Sequence, residues 1–461
     1  MNRLRTGVAA VFVTLCLILG GASAAGAVAN GLLQIVAVLI MLIYVWSRGA
    51  PKLAADGRWL VVIFMVYAAI AAAQLIPLPP SVWTALPGRD IVARSLAMLG
   101  LQPTAMPASL DPRRTVAALL WLLPPAAMFL AATRLTRDER SVVARVLLAA
   151  AVVSIALGAV QVFSGGRSYF YEITNPGRSV GFFANANHVA TLLLCSLPFA
   201  ALFMARADKG RSGKAGGGEG RGVVYAAICV FIGIGIAING SLAGYGLLVP
   251  VSIASFVLYR RSTNEKLGRR SWVAIGVASA LLIGFSALGP LSVNRFAAKF
   301  DDTSTVGRKI SVPTTLTAAR DFFPLGSGLG TFRDVYRTYE PAADVSSTYV
   351  NHAHNDYAEV ALELGIPGLL AVLAFLIWWA MQSWKAWRSK YDGVALARAG
   401  SIAIGVVVLH SLVDYPIRTS AIAAIVALSA GFMIQPPAAK RERSRDGTRR
   451  SKVRHMDAEA V

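Results

Sequence analysis

The chain has 461 residues, 56% of them hydrophobic and only 15% charged, with a net charge of +21 and a mean hydropathy of +0.57. Soluble domains carry about 25% charged residues, so the composition excludes an ordinary water-soluble globular protein. The apolar residues come in blocks of about 20, enough for a helix to cross a hydrocarbon layer of about 30 Å. In lipid such runs are helices, because the backbone must satisfy its own hydrogen bonds. Cys16, Cys195 and Cys229 fall inside these blocks and offer neither a disulfide framework nor zinc spacing.

In chain order the blocks predict an all-α, polytopic integral membrane protein with about twelve transmembrane helices. They lie near residues 8–26, 31–47, 59–78, 115–132, 141–162, 183–205, 222–239, 244–259, 271–288, 366–384, 399–414 and 419–435. The first block follows Arg3 and Arg5 and contains Ala22-Ser23-Ala24. It therefore also fits a cleavable signal, but is read as a retained helix. Residues 1–164 are expected to form N-terminal helices with an outer loop at 79–114. Residues 165–435 form a second membrane unit with a large outer loop at 289–365, and residues 436–461 a disordered basic tail.

The positive charge sits between the blocks, as in Arg48/Lys52/Arg58, Arg134/Arg137/Arg140, Arg260/Arg261/Lys266 and Lys385/Arg388/Lys390. By the positive-inside rule these segments and both termini face the cytoplasm. The placement argues against a nucleic-acid partner and for anionic membrane lipid near the tail.

Four constellations carry candidate chemistry at the outer helix ends. The first is His352-Ala353-His354-Asn355-Asp356-Tyr357, followed by Glu359, Glu363, Gly365, Pro367 and Gly368. Its spacing predicts a helix from Asn355 to Leu364, with Glu359 and Glu363 on one face, ended by Gly365 and Pro367 just before a membrane span. Three readings of His354 stand together: a helix cap, a metal ligand in His-x-His-x-Asp, and a general base for an attacking hydroxyl. The metal reading is weak, because only five histidines are present and further ligands would be needed.

The second runs from Gly177-Arg178 to Asn185-Ala186-Asn187-His188. An arginine beside glycines suits a phosphate, and Asn185, Asn187 and His188 at the top of an apolar helix suit a polar cavity. The third is Gly307-Arg308 with Ala319-Arg320 through Thr331-Phe332. Its glycines predict a tight turn between amphipathic helices, because no Lys-Ser/Thr follows as a phosphate loop requires. The fourth is His410 through Arg418, in which Arg418 is the expected partner of Asp414.

Together these four segments resemble the O-antigen ligase and polymerase superfamily over roughly residues 165–435, most specifically in His354-Asn355, nine residues, then Gly365-x-x-Gly368. The resemblance implies a GT-C-like transferase in the bacterial cytoplasmic membrane, multi-pass, with its active site on the periplasmic side. The donor would be a polyprenyl-diphosphate-linked glycan, and the acceptor a glycan, lipid A-core or a protein, with no cofactor and no metal. His354 takes the position of the essential histidine, and Arg178 and Arg308 those of arginines on the donor diphosphate. Asn355, Asp356, Glu359, Asn187 and Asp414 would support them, with Asp356 or Glu359 orienting the His354 ring. Many members carry Ser-Arg where this chain reads Ser241-Leu242. The donor would then have one cation fewer, or Arg320 or Arg418 in its place. A non-enzymatic permease for a lipid-linked glycan is the alternative, and it predicts ionisable groups near the bilayer midplane.

Overall fold

A computed structural model describes residues 2–23, 27–48, 53–164, 168–211, 219–263, 303–345 and 349–434. The predicted span 271–288, residues 289–302 of the predicted large loop and the tail 436–461 lie outside them. The described chain is mostly helical. Its strands, among the described residues, are Pro77–Leu78 and Met106–Pro107, paired antiparallel.

Among the described residues, seven helices are long and apolar enough to cross a membrane: Ala55–Ala73, Pro112–Arg134, Arg137–Phe163, Ala186–Ala207, Leu242–Thr263, Asp356–Arg388 and Asp392–His410. Four shorter apolar helices accompany them, Leu4–Leu19, Val28–Tyr44, Val223–Asn239 and Ser420–Met433. The chain is thus a multi-pass membrane protein, but the described residues do not reach the expected count of about twelve. A 14-residue helix such as Ser420–Met433 rises only about 21 Å, short of the hydrocarbon thickness.

The centre of the bundle is Ala186–Arg211, which buries Val189, Leu192, Leu193, Leu194, Phe199 and Leu202. It packs against Glu219–Asn239, Leu242–Thr263 and Ala395–His410. Ala55–Ala73 is apolar on all sides and leaves Trp59, Val62, Met65 and Val66 exposed, which lipid tolerates as well as protein does. The far end of the bundle is closed by two buried arginines that take up helix-end carbonyls. Arg140 donates to the oxygens of Leu135 (3.1 Å), Phe432 (3.3 Å) and Ile434 (2.7 Å). Arg398 does the same for Ala386 (3.0 Å) and Ser389 (2.6 Å).

The opposite end carries a polar wing built from Thr303–Asp321, Phe332–Tyr339 and the turn between them. This turn docks on a break in the long helix Asp356–Arg388, where Gly365 has φ 57° and ψ −146°. Breaking a helix strands carbonyls, and the turn supplies donors for them. Ser327 N–H donates to Leu362 O and Gly328 N–H to Glu363 O, both at 2.9 Å, while Ile366 N–H donates back to Pro324 O at 2.9 Å. Gln74 locks the joint, donating to Glu363 O at 2.9 Å and accepting from Leu329 N–H at 2.9 Å.

A Cβ on Gly365 would run into the Pro324 carbonyl oxygen, and the left-handed φ alone costs a non-glycine residue about 1–3 kcal/mol. Gly365→Ala is therefore expected to lower stability by more than that, read as the thermal midpoint in detergent. An unchanged midpoint would show that the joint is looser than its hydrogen bonds indicate.

Arg89 pins the loop on the other side of the wing. It is buried, contacts the Ala108 carbonyl, donates to Gly326 O at 3.3 Å, and stacks over Phe322 at 5.3 Å. Burial pushes its guanidinium down to about 10, so it remains charged at neutral pH.

Candidate functional site

Asn355 starts the helix that begins at Asp356. Its side-chain oxygen accepts from Tyr357 N–H and Ala358 N–H, both at 3.0 Å, as an N-cap should. Its amide donates to Leu412 O at 3.0 Å. Next to it, Asp356 N–H donates to Ser411 O at 3.0 Å, and the Ser411 hydroxyl donates to the Asp356 carboxylate at 2.7 Å. The turn after His410 is thereby sewn onto the start of this helix, and His354 meets Asp414. The cap is Asn355, so the helix-cap reading of His354 does not hold.

His354 Nδ1 lies 3.1 Å from Asp414 Oδ1. The Asp414 carboxylate is 0% exposed and the His354 side chain 24%. An ionised carboxylate only accepts, so the geometry assigns the proton to Nδ1. That leaves the Nε2 lone pair on the open side, and Nε2 is not among the sealed, unpartnered atoms. His354 is also the one non-glycine residue with positive φ among the described residues, at 55°, a conformation that costs about 1–3 kcal/mol and persists only where its surroundings impose it. A carboxylate-oriented imidazole with an open Nε2 can take a proton from a hydroxyl.

Two sequence expectations are corrected here. Asp414 pairs with His354 and not with Arg418, and the hydrogen-bond partner of the ring is Asp414 and not Asp356 or Glu359. The reason is the fold of the short turn: His410 to Asp414 curls back with Asp414 N–H on His410 O at 3.0 Å, aiming Asp414 toward the strap of residues 351–355 that precedes the helix from Asp356, while Arg418 points beneath it.

Beneath the strap, Arg418 gathers three buried carboxylates. Its guanidinium reaches Asp356 Oδ1 at 3.3 Å, Glu359 Oε1 at 3.3 Å and Glu363 Oε2 at 2.9 Å. Burial opposes its charge, but Glu359, Glu363 and Asp356 outweigh that and hold its pKa well above the ordinary guanidinium value. Arg418 is thus committed to carboxylates, which removes it as the substitute for the arginine missing at Leu242. The other oxygen of Glu363 accepts from Gly330 N–H at 2.9 Å and Phe332 N–H at 3.3 Å, which joins this cluster to the glycine-rich turn.

Tyr415 is the residue that sequence reasoning missed. Its ring lies 4.4 Å from the ring of His352, 5.0 Å from His354 and 5.1 Å from His188, centroid to centroid. Three of the chain's five histidines, from two segments far apart in the chain, converge on one phenol. No periodicity signals this, since the tyrosine reads as one more apolar residue at a helix end.

Asn187 and Arg178 occupy the adjoining corner. Asn187 Oδ1 accepts from the Ser241 hydroxyl at 2.7 Å, and the Asn239 amide donates to Ser179 O at 2.6 Å. Arg178, half-buried, stands within electrostatic reach of the Tyr245 hydroxyl, beside the same short turn. Arg308 lies on the helix Thr303–Asp321, one turn before Ser311, whose hydroxyl donates to Ala353 O at 3.1 Å. Its side chain is outside the described residues. Among the described residues no group of three or more His, Cys, Asp or Glu is placed to hold a metal ion.

The structure therefore brings His354, Asn355, Asp356, Glu359 and Asp414 into one cluster, with Asn187 and Arg178 at the turn around Ser241. No curated protein matches the chain. A family model does, over residues 227–373, a stretch that contains the His354 strap, the glycine-rich turn and the Gly365 break. The matching model is that of the O-antigen ligase family, and residues 227–373 are similar to it.

Proposed function

We propose that the protein transfers a glycan from a polyprenyl-diphosphate donor to an acceptor hydroxyl at the periplasmic face of the bacterial cytoplasmic membrane. The observation that carries this reading is the His354–Asp414 pair with its open Nε2. The acceptor hydroxyl oxygen attacks the anomeric carbon and a new glycosidic bond forms. The bond from that carbon to the diphosphate breaks, and polyprenyl diphosphate leaves with the electron pair. The hydroxyl proton passes to His354 Nε2, and the resulting imidazolium is stabilised by Asp414. Arg178 and Arg308 would offset the charge developing on the diphosphate.

The distribution of buried charge favours this over a permease. Asp356, Glu359, Glu363, Asp414 and Arg418 cluster at one end of the bundle, while Arg140 and Arg398 sit at the other. A transport path would need such groups near the midplane.

The test is glycan transfer in reconstituted membranes, with wild type, His354→Ala, Arg178→Lys and Arg178→Ala at equal abundance. Lipid A-core, a second lipid-linked repeat and a candidate protein serve as acceptors. One labelled product, lost in His354→Ala, is the expected result and names the acceptor. Arg178→Lys should keep part of the activity and Arg178→Ala little, because lysine retains the charge without the fork. Undiminished transfer by His354→Ala would remove it as the base.

A further inference from the structure

The left-handed backbone at His354 needs a cause, and the contacts around it supply one. The two residues before His354 are both held by Glu359. His352 Nδ1 donates to Glu359 Oε1 at 2.7 Å, and Ala353 N–H donates to Glu359 Oε2 at 3.0 Å. The residue after His354 is held by its own cap at the helix start. His354 is thus the one residue of the strap left to absorb the mismatch between two fixed ends, and its φ of 55° is where that mismatch goes.

Glu359 is itself rigid. Its side chain is 1% exposed, and Arg418 lies 3.3 Å from the same oxygen that His352 uses. We propose that Glu359 is a positioning residue for His354: braced by Arg418, it ties down His352 and Ala353 and so imposes the backbone that presents the His354 ring to Asp414. The role rests on the reading of His354 as the base. It assigns a purpose to His352, the second imidazole of the strap, which sits between Phe332 at 6.4 Å and Tyr415 at 4.4 Å without facing the open side.

The two carboxylates have different tasks. Asp414 touches the catalytic ring, whereas Glu359 acts only through the backbone. Without Glu359 the strap can relax to negative φ, which swings the ring away from Asp414. A displacement of about 1 Å in a reacting group can cost up to about 10²-fold in rate, with donor affinity untouched.

Two readouts test this on the full-length protein in nanodiscs. The first does not depend on activity: the rate at which diethyl pyrocarbonate modifies His354, followed by mass spectrometry of the peptide that contains it. Glu359→Gln and His352→Phe are expected to raise that rate severalfold, because each frees the ring. His352→Phe keeps an aromatic ring between Phe332 and Tyr415 and removes only the bond to Glu359, so it decides the matter if Glu359→Gln fails to accumulate. The second readout is transfer kinetics, where kcat should fall about 10–10²-fold while KM for the lipid-linked donor holds.

Unchanged His354 reactivity in both variants overturns the positioning role. A changed reactivity beside full transfer by His354→Ala would instead overturn the base assignment and leave the clamp standing.

Discussion

Asp414→Asn is expected to lower kcat for glycan transfer by about 10²–10⁴-fold, close to the whole contribution of a positioned general base, with little change in KM. Asparagine fills the same volume, and its oxygen can still accept from Nδ1–H. What it lacks is charge. In the proposed mechanism the ring becomes an imidazolium on taking the acceptor proton, and only a carboxylate at 3.1 Å stabilises that form. The amide can also turn its NH2 toward Nδ1, which selects the other tautomer and leaves Nε2 protonated and useless as a base. The neighbours cannot replace it, because Asp356, Glu359 and Glu363 are already bound to Arg418. Steady-state kinetics on wild type and variant at equal membrane abundance measure the effect. A variant within a few-fold of wild type would show that the pair is structural, and would weaken the case for His354 as strongly as an active His354→Ala.

Much of this was legible in the residues themselves. Apolar blocks place the long apolar helices, because in lipid a long uncharged run has no alternative to a helix, but not polar ones such as Asp90–Met98, Thr303–Asp321 and Phe332–Tyr339. The helix break at Gly365 follows from the glycine and the proline two residues on, and the turn between helices at 324–332 from its run of glycines. The helix from Asp356 and the shared face of Glu359 and Glu363 follow from period alone. Pairing across the chain did not. Arg418 is four residues from Asp414 in sequence and looked like its partner, yet Asp356, Glu359 and Glu363 claim it from 55 to 62 residues away. Such choices are made by tertiary geometry, which a short turn such as 411–418 can reverse with one change of direction. Tyr415 was invisible for the same reason, since its value lies in what two distant segments bring to it.

The arginine clusters show the opposite limit. Their positions report topology through a charge rule, and the sequence holds no sign that Arg140, in one of them, or Arg398, outside them, folds back into the protein to satisfy helix-end carbonyls. A snorkelling arginine and a buried one look alike in one dimension.

Arg418→Met is expected to be the most destabilising single change at this end of the bundle. Three carboxylates whose side chains are 6%, 1% and 1% exposed converge on this one guanidinium. Methionine approximates its volume but leaves the buried acids without their cation, and removing one partner of a buried ion pair costs about 3–5 kcal/mol. Lysine is not a conservative repair, because one ammonium cannot reach three carboxylates that the guanidinium meets through Nε and Nη1 at once. Arg418→Lys should therefore fall between wild type and Arg418→Met. The thermal midpoint in detergent, with size-exclusion profiles as the check on folding, orders the three proteins. Adding Asp356→Asn, Glu359→Gln and Glu363→Gln to Arg418→Met should recover part of the lost stability, because the cost lies in unpaired charge and the amides remove it. Their recovery should not extend to transfer, since the strap over Glu359 would then be held by a neutral side chain that no cation braces. If Arg418→Met melts with wild type, the three acids must already be neutral in the native state, and the cluster would be held by packing and hydrogen bonds instead of by charge.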